Sequence, residues 1–303
     1  MNKTFLTTVA FVGQPNVGKS TLLNALVGTK IAPTTRKPQT TRRIIRGIRT
    51  IGDYQHIYFD TPGALKNTAG LAKFMHDQIF SALSDVEQVA YIVDVSKNIN
   101  HNLTFLTKVQ EICKNNNQNL LLLLNKIDLF KDKKDILNII SEYHKLTGIT
   151  EIVPISAMEN IGLDTFFEVI NKSAKEAPFL FSEEFFTDAS EKDITAELIR
   201  EKAMLELSDE LPYRLNVAVD FFDESRREDE KKPLISIEAI IYVERDSQKA
   251  IVIGKGGSAL KNIGIRARKE LENLLGCQVM LKLFVKVEPN WTTSPKALKK
   301  LGF

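Results

Sequence analysis

The amino-acid sequence predicts an α/β protein in which a mostly parallel, doubly wound sheet is followed by a smaller α+β domain. Up to about residue 176, short apolar runs alternate with helix-like segments, which is the pattern of a parallel sheet covered by helices on both faces. Beyond residue 192 the predicted order changes to α-β-β-α-α-β. The intervening segment contains Pro178 and ends in residues that cap helices. We therefore predict domains at 1–176 and 193–303, joined by a linker at 177–192.

The elements of the first domain follow from its apolar spacing. Short apolar runs predict strands near 7–12, 55–60, 88–94, 120–125 and 151–155. Helical spacing predicts helices near 70–85, 101–115, 132–146 and 163–176, and one more whose apolar face carries Leu22, Leu23 and Leu26. Segment 30–50 interrupts the alternation because it is basic and rich in threonine, so we predict a long mobile loop there.

The second domain is predicted in the same way. Apolar residues at helical spacing predict a helix at about 191–209, and two strands are predicted at 215–222 and 234–243. The charged segment DESRREDEKK between these strands predicts a surface loop. A short apolar turn then ends in IVIGKGG, and it is followed by a predicted helix at 258–275 and a predicted strand at 278–287.

The composition excludes several classes of protein. Of 303 residues, 43% are hydrophobic and 26% are charged, which is ordinary for a soluble globular protein. No apolar run is long enough to span a bilayer, and the first residues lack the pattern of a signal peptide. Cys113 and Cys277 lie far apart without metal-ligand spacing, so we expect reduced thiols. The chain is therefore predicted to be cytoplasmic.

The charge is distributed unevenly along the chain, although its net value is only +3. Residues 30–52 contain seven Lys or Arg and no acidic residue. Residues 245–269 contain seven basic residues and one acidic residue. A basic run is usually a solvated surface. Two such windows, each beside a glycine loop or a predicted mobile segment, favour a phosphate-rich partner.

Residues 13–21 read GQPNVGKST, and this spacing favours a phosphate site. Its glycines let the backbone turn so that several N–H groups point at one anion, while Lys19 adds positive charge and Ser20 can ligate magnesium. The motif lies between a predicted strand and a predicted helix, which directs a helix N-terminus at phosphate. We predict nucleotide contacts at Gly13, Gln14, Pro15, Asn16, Val17, Gly18, Lys19, Ser20 and Thr21.

A second motif, Asp60-Thr61-Pro62-Gly63, follows the strand-like run HIYFD and precedes Ala64. An aspartate at a strand end can reach magnesium through water, and the glycine N–H can meet a γ-phosphate. Either Thr40 or Thr41 completes the magnesium shell, and we prefer Thr41. The predicted metal ligands are therefore Ser20, Thr41 and Asp60, the predicted catalytic residues are Lys19, Thr41 and Gly63, and the predicted nucleotide contacts here are Asp60, Thr61, Pro62, Gly63 and Ala64.

The base is predicted from Asn125-Lys126-Ile127-Asp128, directly after the apolar run LLLLL. A carboxylate at Asp128 can accept hydrogen bonds from guanine N1–H and from the exocyclic amine together. Adenine offers no such pair of donors, so the wrong base leaves the carboxylate unpaired. Ser156 and Ala157 follow the strand-like run EIVPI, where a backbone N–H can meet the guanine oxygen.

In this order the motifs resemble those of the translation-factor class of GTPases. GQPNVGKST with DTPG is similar to the branch that contains the Era family and its relatives in ribosome assembly. The C-terminal VIGKGGSALKNIG resembles the loop of a KH RNA-binding domain, and α-β-β-α-α-β is the type II order. The resemblance covers nearly the whole chain. It implies a P-loop GTPase domain followed by a type II KH domain.

This resemblance implies GTP and GDP as ligands, GTP hydrolysis with Mg²⁺, and binding to the 3′ end of 16S ribosomal RNA. It also implies a role in maturation and assembly of the small (30S) ribosomal subunit. Some family members associate peripherally with the inner membrane. Related GTPases with this phosphate loop use K⁺, which Asn16 would ligate. We expect the chain to be a monomer.

The KH-like loop also has a direct physical interpretation. Gly254-Lys255-Gly256-Gly257 opens a predicted helix, so a nucleic-acid backbone can approach it closely. Basic residues on the following helix supply positive charge for phosphates. The predicted RNA contacts are Ile253, Gly254, Lys255, Gly256, Gly257, Lys261, Arg266 and Arg268.

Ala64 leaves two alternatives open. In small signalling GTPases a glutamine after this motif orients the attacking water, and alanine cannot do so. Hydrolysis must then be slow, or it must use another group or a bound ion. The first alternative is an RNA-binding protein that senses GTP without hydrolysing it. The second is a kinase or ATPase that uses ATP, against which Asp128 argues.

Overall fold

The computed structural model describes residues 3–35, 37, 40–64 and 70–303, which form two compact units. The first unit contains the described residues of Met1–Ile31, Thr41–Thr68 and Met75–Asp188. The second contains those of Ala32–Thr40, Ala69–Phe74 and Ala189–Phe303. The units therefore differ from the contiguous domains predicted from the sequence, because two short segments before residue 176 group with the second unit. The predicted linker 177–192 is divided between the units after Asp188.

The described strands of the first unit form one sheet. They are β1 (Phe5–Gly13), β2 (Ile45–Ile51), β3 (Tyr54–Asp60), β4 (Gln88–Asp94), β5 (Asn119–Asn125), β6 (Ile152–Ile155) and β7 (Lys175–Glu176). Their order is β2-β3-β1-β4-β5-β6, and β7 pairs with β1. β2 and β7 run antiparallel to their neighbours, while the other pairs are parallel. The mostly parallel sheet predicted from the sequence is confirmed.

Helices connect these strands. They are α1 (Lys19–Val27), α2 (Leu71–Ser84), α3 (Asn100–Asn115), α4 (Lys133–Thr147) and α5 (Leu163–Asn171). The central strands are buried, and Val12, Val93 and Leu124 have no exposed surface. Because β1, β3, β5 and β6 are parallel, the loops after them meet at one edge of the sheet, where α/β folds bind ligands. As far as the chain is described, none of its helices is long and apolar enough to cross a bilayer.

The predicted loop across 30–50 is wrong for its last residues, because Ile45–Ile51 forms β2. Ile45 and Ile48 are buried while Arg46 is exposed, so the basic residues conceal the apolar pattern of a strand. Gly47 lies close to α1, since a Cβ atom there would lie 2.5 Å from Leu23 Cδ1. Three residues of the predicted loop, Arg36, Pro38 and Gln39, lie outside the described residues.

Residues 186–188 lie along the β2 edge of the first unit. The Ile48 N–H donates to the Phe186 carbonyl at 2.8 Å, and Gly47 forms a β-bridge with Thr187. The Arg46 guanidinium pairs with Asp188 at 2.7 Å. The segment therefore pairs with some of the backbone hydrogen-bonding groups of an edge strand, which would otherwise be open to another chain.

The described helices and strands after residue 188 begin with α6 (Glu191–Glu206), β8 (Asn216–Arg226) and β9 (Leu234–Val243). They continue with α7 (Asp246–Ile253), α8 (Ser258–Leu275), β10 (Gln278–Val287) and α9 (Pro295–Lys300). The sheet order is β10-β9-β8, with β10 parallel and β8 antiparallel to β9. Every second residue of β9 is buried in the core of this unit. The predicted α-β-β-α-α-β order is confirmed, with α9 added at its end.

Charged side chains of α6 hold the described residues of 32–40 within the second unit. The Thr34 N–H donates to Glu201 Oε2 at 2.9 Å. The Arg200 guanidinium donates to the Thr40 carbonyl, and the Lys37 ammonium donates to two carbonyls at the end of α6. Arg200 and Glu201 are buried, so these contacts also give hydrogen-bond partners to charged groups that are removed from water. This explains why a segment between α1 and β2 groups with the later part of the chain.

Candidate functional site

The phosphate loop connects β1 to α1 at the carboxyl edge of the sheet. Asn16 and Gly18 have φ angles of +64° and +103°, so the backbone turns back on itself within a few residues. Gly18 precedes α1, and no side chain caps this helix. The N–H groups of its first turn are therefore directed at the position that an anion would take. The predicted motif, Gly13 to Thr21, thus spans the end of β1, this turn and the first residues of α1.

Lys19 lies within the curve of this loop. Its ammonium donates to the carbonyls of Gly13 at 3.2 Å and Gln14 at 3.1 Å. Burial lowers the pKa of Lys19 to about 8, while the nearby Asp60 carboxylate acts in the opposite direction. An ammonium held by two carbonyls in a buried loop gains a stronger partner when phosphate oxygens are present.

The three predicted metal ligands converge at the end of the loop. Ser20 Oγ lies 2.8 Å from Thr41 Oγ1 and donates to Asp60 Oδ2 at 2.6 Å. Thr41 Oγ1 donates to the same carboxylate oxygen at 3.2 Å. Asp60 Oδ1 is buried and has no hydrogen-bond partner among the described residues. A buried carboxylate oxygen beside two hydroxyl groups fits Mg²⁺, which prefers oxygen ligands, and Ser20, Thr41 and Asp60 would hold it.

The electrostatics of Asp60 agree with this fit. Burial raises the pKa of Asp60 to about 6, although Lys19 and the hydrogen bonds from Ser20 and Thr41 lower it. Asp60 has no exposed surface. A carboxylate whose charge is costly to bury is stabilised by a divalent cation in contact with it. Thr40, the alternative to Thr41, instead hydrogen-bonds Thr35 and the Lys37 carbonyl.

The segment from Asp60 to Ala64 lies against the phosphate loop. A Cβ atom on Gly63 would lie 2.8 Å from Pro15 Cα, so this approach requires glycine. The Ala64 N–H donates to the Gly13 carbonyl at 3.2 Å. The Thr61 hydroxyl donates to the Phe11 carbonyl of β1 at 2.7 Å, and Pro62 is buried beside it. The loop after β3 is therefore fixed against the loop that follows β1.

Asn125 links the predicted base site to the phosphate loop. Its side-chain amide donates to the Val17 carbonyl at 2.7 Å, and its oxygen accepts the Ala157 N–H at 3.0 Å. A Cβ atom on Gly18 would lie 2.2 Å from Asn125 Nδ2. The loops after β1, β5 and β6 are thus joined by one buried side chain.

Asp128 lies at the open side of this arrangement. Its Oδ1 accepts the Ser156 hydroxyl at 2.5 Å, while the side chain is exposed. Ser156 itself is fully buried, so it holds the carboxylate in one orientation. Ile127 is half-buried and begins a short 3-10 helix, Ile127–Leu129, that carries Asp128. An oriented, accessible carboxylate is what recognition of a pair of base donors requires.

The sequence analysis missed Asp94, which ends β4 beside the base motif. Asp94 Oδ2 accepts the Lys126 ammonium at 2.6 Å. Although burial raises it, hydrogen bonds from Lys126 and Ser96 hold the pKa of Asp94 below its ordinary value. The feature of the sequence that could have identified Asp94 is an acidic residue at the end of the apolar run VAYIVD. Its relation to Lys126 depends on the pairing of β4 with β5, which is not local in sequence.

The predicted RNA loop connects α7 to α8. Gly256 and Gly257 have φ angles of +59° and +79°, and a Cβ atom on either would meet no atom of the described residues within 4 Å. Lys255 is exposed at the tip, and Gly254 has a φ angle of +75°. Ile253 is half-buried at the end of α7. The backbone here is accessible to another backbone, as a nucleic-acid contact requires.

A groove of about 380 Å³ continues from this loop along α8. Lys261 and Arg268 lie on its border, whereas the predicted contact Arg266 does not line it. Arg266 instead pairs with Glu206 at 3.3 Å on another face of α8. The sequence analysis missed the apolar lining, which comes from alternating positions of β10 and one face of α8. The lining residues are Gly257, Leu260, Lys261, Gly264, Ile265, Arg268, Leu281 and Leu283.

Two family models match the chain. One, described as a 50S ribosome-binding GTPase, matches residues 8–126. The other, described as a KH domain, matches residues 210–292. The first covers the phosphate loop and the strands that carry Asp60 and Asn125. The second covers the glycine loop and the groove beside it.

Curated relatives match over nearly the full length. GTPase Era of Lactobacillus helveticus is 43% identical over 298 residues, which cover 97% of this chain and 95% of the relative. GTPase Era of Ectopseudomonas mendocina is 41% identical over 297 residues, which cover 97% of this chain and 96% of the relative. The agreement therefore includes both units.

Two solved structures are similar over 99% of both chains. One is a variant of Aquifex aeolicus Era bound to GDP and aluminium fluoride, with 36% identity and a TM-score of 0.91. The other is Era in complex with MgGDPNP and nucleotides 1506–1542 of 16S ribosomal RNA, also with 36% identity and a TM-score of 0.91.

Proposed function

Because the chain belongs to the Era family of GTPases, we propose that it uses GTP binding and hydrolysis to control its binding to the 3′ region of 16S ribosomal RNA. The proposed setting is 16S rRNA processing and assembly of the 30S subunit. One observation carries the proposal. The same chain contains a base site with an oriented Asp128 and an accessible glycine loop at 254–257. The complex of Era with 16S nucleotides 1506–1542 supports it.

In this proposal the phosphate loop binds the β- and γ-phosphates through its N–H groups and Lys19. Ser20, Thr41 and Asp60 hold Mg²⁺, which neutralises charge on the phosphates when bound. Gly63, fixed against Pro15, presents its N–H to the γ-phosphate. The chain's own contribution to hydrolysis is therefore to position these donors before the reaction begins.

Base selection is assigned to the loops after β5 and β6. Asp128 accepts the paired donors of guanine, and the Ser156 hydroxyl keeps the carboxylate in position. Asn125 connects this site to the phosphate loop, and the Ala157 N–H lies beside it. An ATP-using enzyme is disfavoured because adenine lacks the matching donors.

RNA binding is assigned to the loop at 254–257 and to the groove along α8. The backbone of an extended RNA strand would approach Gly256 and Gly257, and Lys255, Lys261 and Arg268 would contact phosphates. The apolar lining of the groove would hold unpaired bases. Arg266 keeps its predicted phosphate contact only if its ion pair with Glu206 opens.

The experiment that tests this function measures GTP turnover alone and with small ribosomal subunits or the matching 3′ RNA segment. We expect slow turnover alone, because Ala64 cannot orient water, and faster turnover with the RNA partner. Turnover that stays unchanged with both partners, while RNA binds normally, would contradict control of RNA binding by hydrolysis. If ATP is hydrolysed in the same assay as fast as GTP is, the base assignment is contradicted.

We propose that K⁺ bound at Asn16 partly replaces the glutamine that assists hydrolysis in other GTPases and that is Ala64 in this chain. Asn16 is exposed on the phosphate loop, two residues before Gly18. Its amide oxygen is a suitable ligand for a monovalent cation beside the phosphates. A cation there would stabilise negative charge that develops during hydrolysis.

The K⁺ proposal predicts faster turnover in potassium than in sodium at equal ionic strength, by about 10-fold or more. Asn16→Ser should remove the difference while leaving GDP binding within about twofold of the parent. The measurement is phosphate release under single-turnover conditions in the two salts. Equal rates in the two salts, or a potassium effect that survives Asn16→Ser, would exclude this role.

The predicted monomeric state, cytoplasmic location and peripheral contact with the inner membrane stay predictions. Sedimentation of the purified chain measures its oligomeric state. Cell fractionation with and without a salt wash separates cytoplasmic protein from protein held at a membrane by charge.

A further inference from the structure

We propose that Asp94 is a positioning residue for nucleotide retention, acting by holding the Lys126 side chain beside the base site. The inference rests on the proposed guanine site and assigns it an additional component. Lys126 is part of the base motif, whereas Asp94 lies outside every motif of the sequence. The evidence is the geometry where two neighbouring strands end.

β4 and β5 end side by side. Asp94 is the register partner of Asn125, and the Val95 N–H donates to the Asn125 carbonyl at 3.1 Å. Lys126 comes next and has a φ angle of +71°, a conformation that L-residues adopt rarely. The chain therefore turns sharply at Lys126, between the strand end and the short helix that carries Asp128.

The Asp94 carboxylate is held from two sides. Its Oδ2 accepts the Lys126 ammonium at 2.6 Å, and its Oδ1 accepts both the N–H of Ser96 at 3.0 Å and its hydroxyl at 2.6 Å. The Asp94 side chain is only 7% exposed, against 33% for Lys126. A carboxylate fixed by three donors and shielded from water offers the ammonium one well-defined partner.

This contact determines the path of the lysine stem. The backbone of Lys126 lies just after β5, and its ammonium reaches the end of β4. The methylene groups of its side chain therefore cross the edge of the sheet between the two strands. That edge also carries Asn125 and Asp128. A lysine stem fixed there forms an apolar wall for a flat base, whereas a free stem would have to lose its rotamer freedom each time nucleotide binds.

An exposed ion pair usually contributes little, and this is the simplest alternative. The shielding of Asp94 and the two additional hydrogen bonds from Ser96 argue against it. The two interpretations differ in a measurable way. A positioning role makes the effect of Asp94 depend on Lys126, whereas an independent structural role does not.

The test is a double-mutant cycle on the full chain that measures the dissociation rate of a fluorescent GDP analogue with Mg²⁺ present. The variants are Asp94→Asn, Lys126→Met and the two combined. We expect Asp94→Asn to increase the rate about 10-fold, as loss of a charge-assisted hydrogen bond allows. In the Lys126→Met background, Asp94→Asn should change the rate by less than about twofold. If the fold-change in rate of the double variant equals the product of the two single fold-changes, the two residues act independently and the proposal is overturned.

Glu111→Gln, which removes one exposed acidic charge from α3 of the same unit, is the matched control and should leave the rate unchanged. Melting temperatures are measured for all variants. If Asp94→Asn folds poorly, Ser96→Ala gives the same test, because it removes one donor to Asp94 and keeps the charge. Its effect should also disappear with Lys126→Met, and persistence of the effect would overturn the proposal.

The parent chain separates this inference from the proposed function. Competition of GDP and ADP for the parent reports on the guanine site alone. If ADP competes as well as GDP does, the proposed function fails. If GDP is preferred and Asp94→Asn releases the fluorescent GDP analogue at the parent rate, only the role of Asp94 fails.

Discussion

Replacing Gly256 and Gly257 together by Asp is expected to lower the affinity for the 3′ RNA segment by more than ~100-fold, while GTP affinity stays unchanged. Two carboxylates would stand where the RNA backbone must approach, so charge repulsion and steric exclusion act together. Both positions have positive φ angles and open space around them. Aspartate is among the L-residues that tolerate this conformation, so the fold should survive.

The measurement is RNA binding by fluorescence anisotropy, with GTP affinity measured on the same preparations. Gly276→Asp is the matched control, because Gly276 also has a positive φ angle of +68° and nothing within 4 Å of a Cβ atom. It ends α8, at the opposite end of that helix from the glycine loop. If the double variant binds RNA as well as Gly276→Asp does, the loop is not the RNA contact.

Changing Asp128 to Asn is expected to lower GTP affinity by at least ~10-fold and to favour xanthosine triphosphate. The carboxylate offers two acceptors to the N1–H and the amine of guanine, whereas the amide offers one acceptor and one donor. Xanthine carries an oxygen in place of the amine, so the new donor finds a partner. Competition of the two triphosphates against a fluorescent nucleotide measures the change.

Asp132→Asn is the control for this change. Asp132 caps α4 in the same loop region and accepts the Lys134 N–H at 2.8 Å. Asparagine caps helices about as well as aspartate, so this variant loses the same charge with little structural effect. Its preference for GTP should equal that of the parent. An unchanged preference in Asp128→Asn as well would remove the guanine assignment.

The nucleotide motifs could be predicted from the sequence because each is local. The loop with Lys19 follows a strand, the segment from Asp60 follows a second, and Asn125 follows a third. Parallel strands end at the same edge of a sheet, so their loops had to meet. The structure places Ser20 and Asp60 in contact, as this argument requires, and Thr41 joins them from the segment before β2.

Other features depend on contacts that no local pattern reports. The partnership of Asp94 with Lys126 requires the register of two strands separated by a helix. β2 was concealed because Arg46 and Arg49 interrupt its apolar pattern on both faces, and because Gly47, which accommodates α1, has no side chain. The groove lining combines one face of α8 with the distant β10. In each case the signal lies in pairing across the fold.

The position of Arg266 shows the same limit at the scale of one helix. The sequence analysis placed Lys261, Arg266 and Arg268 together as RNA contacts. Helical geometry instead separates Lys261 and Arg268, which border the groove, from Arg266, which pairs with Glu206. Counting charges therefore identifies a basic helix, while the periodicity of the helix decides which charges act together.

The central proposal is that nucleotide state controls RNA binding, and one equilibrium measurement tests it most directly. The affinity for the 3′ RNA segment is measured with GDP and with a non-hydrolysable GTP analogue, at several salt concentrations. Binding free energies are reciprocal, so control of one ligand by the other requires these affinities to differ. We predict at least ~5-fold tighter binding with the GTP analogue at every salt concentration. Equal affinities in the two nucleotide states would show two independent binding activities in one chain and would contradict the proposal.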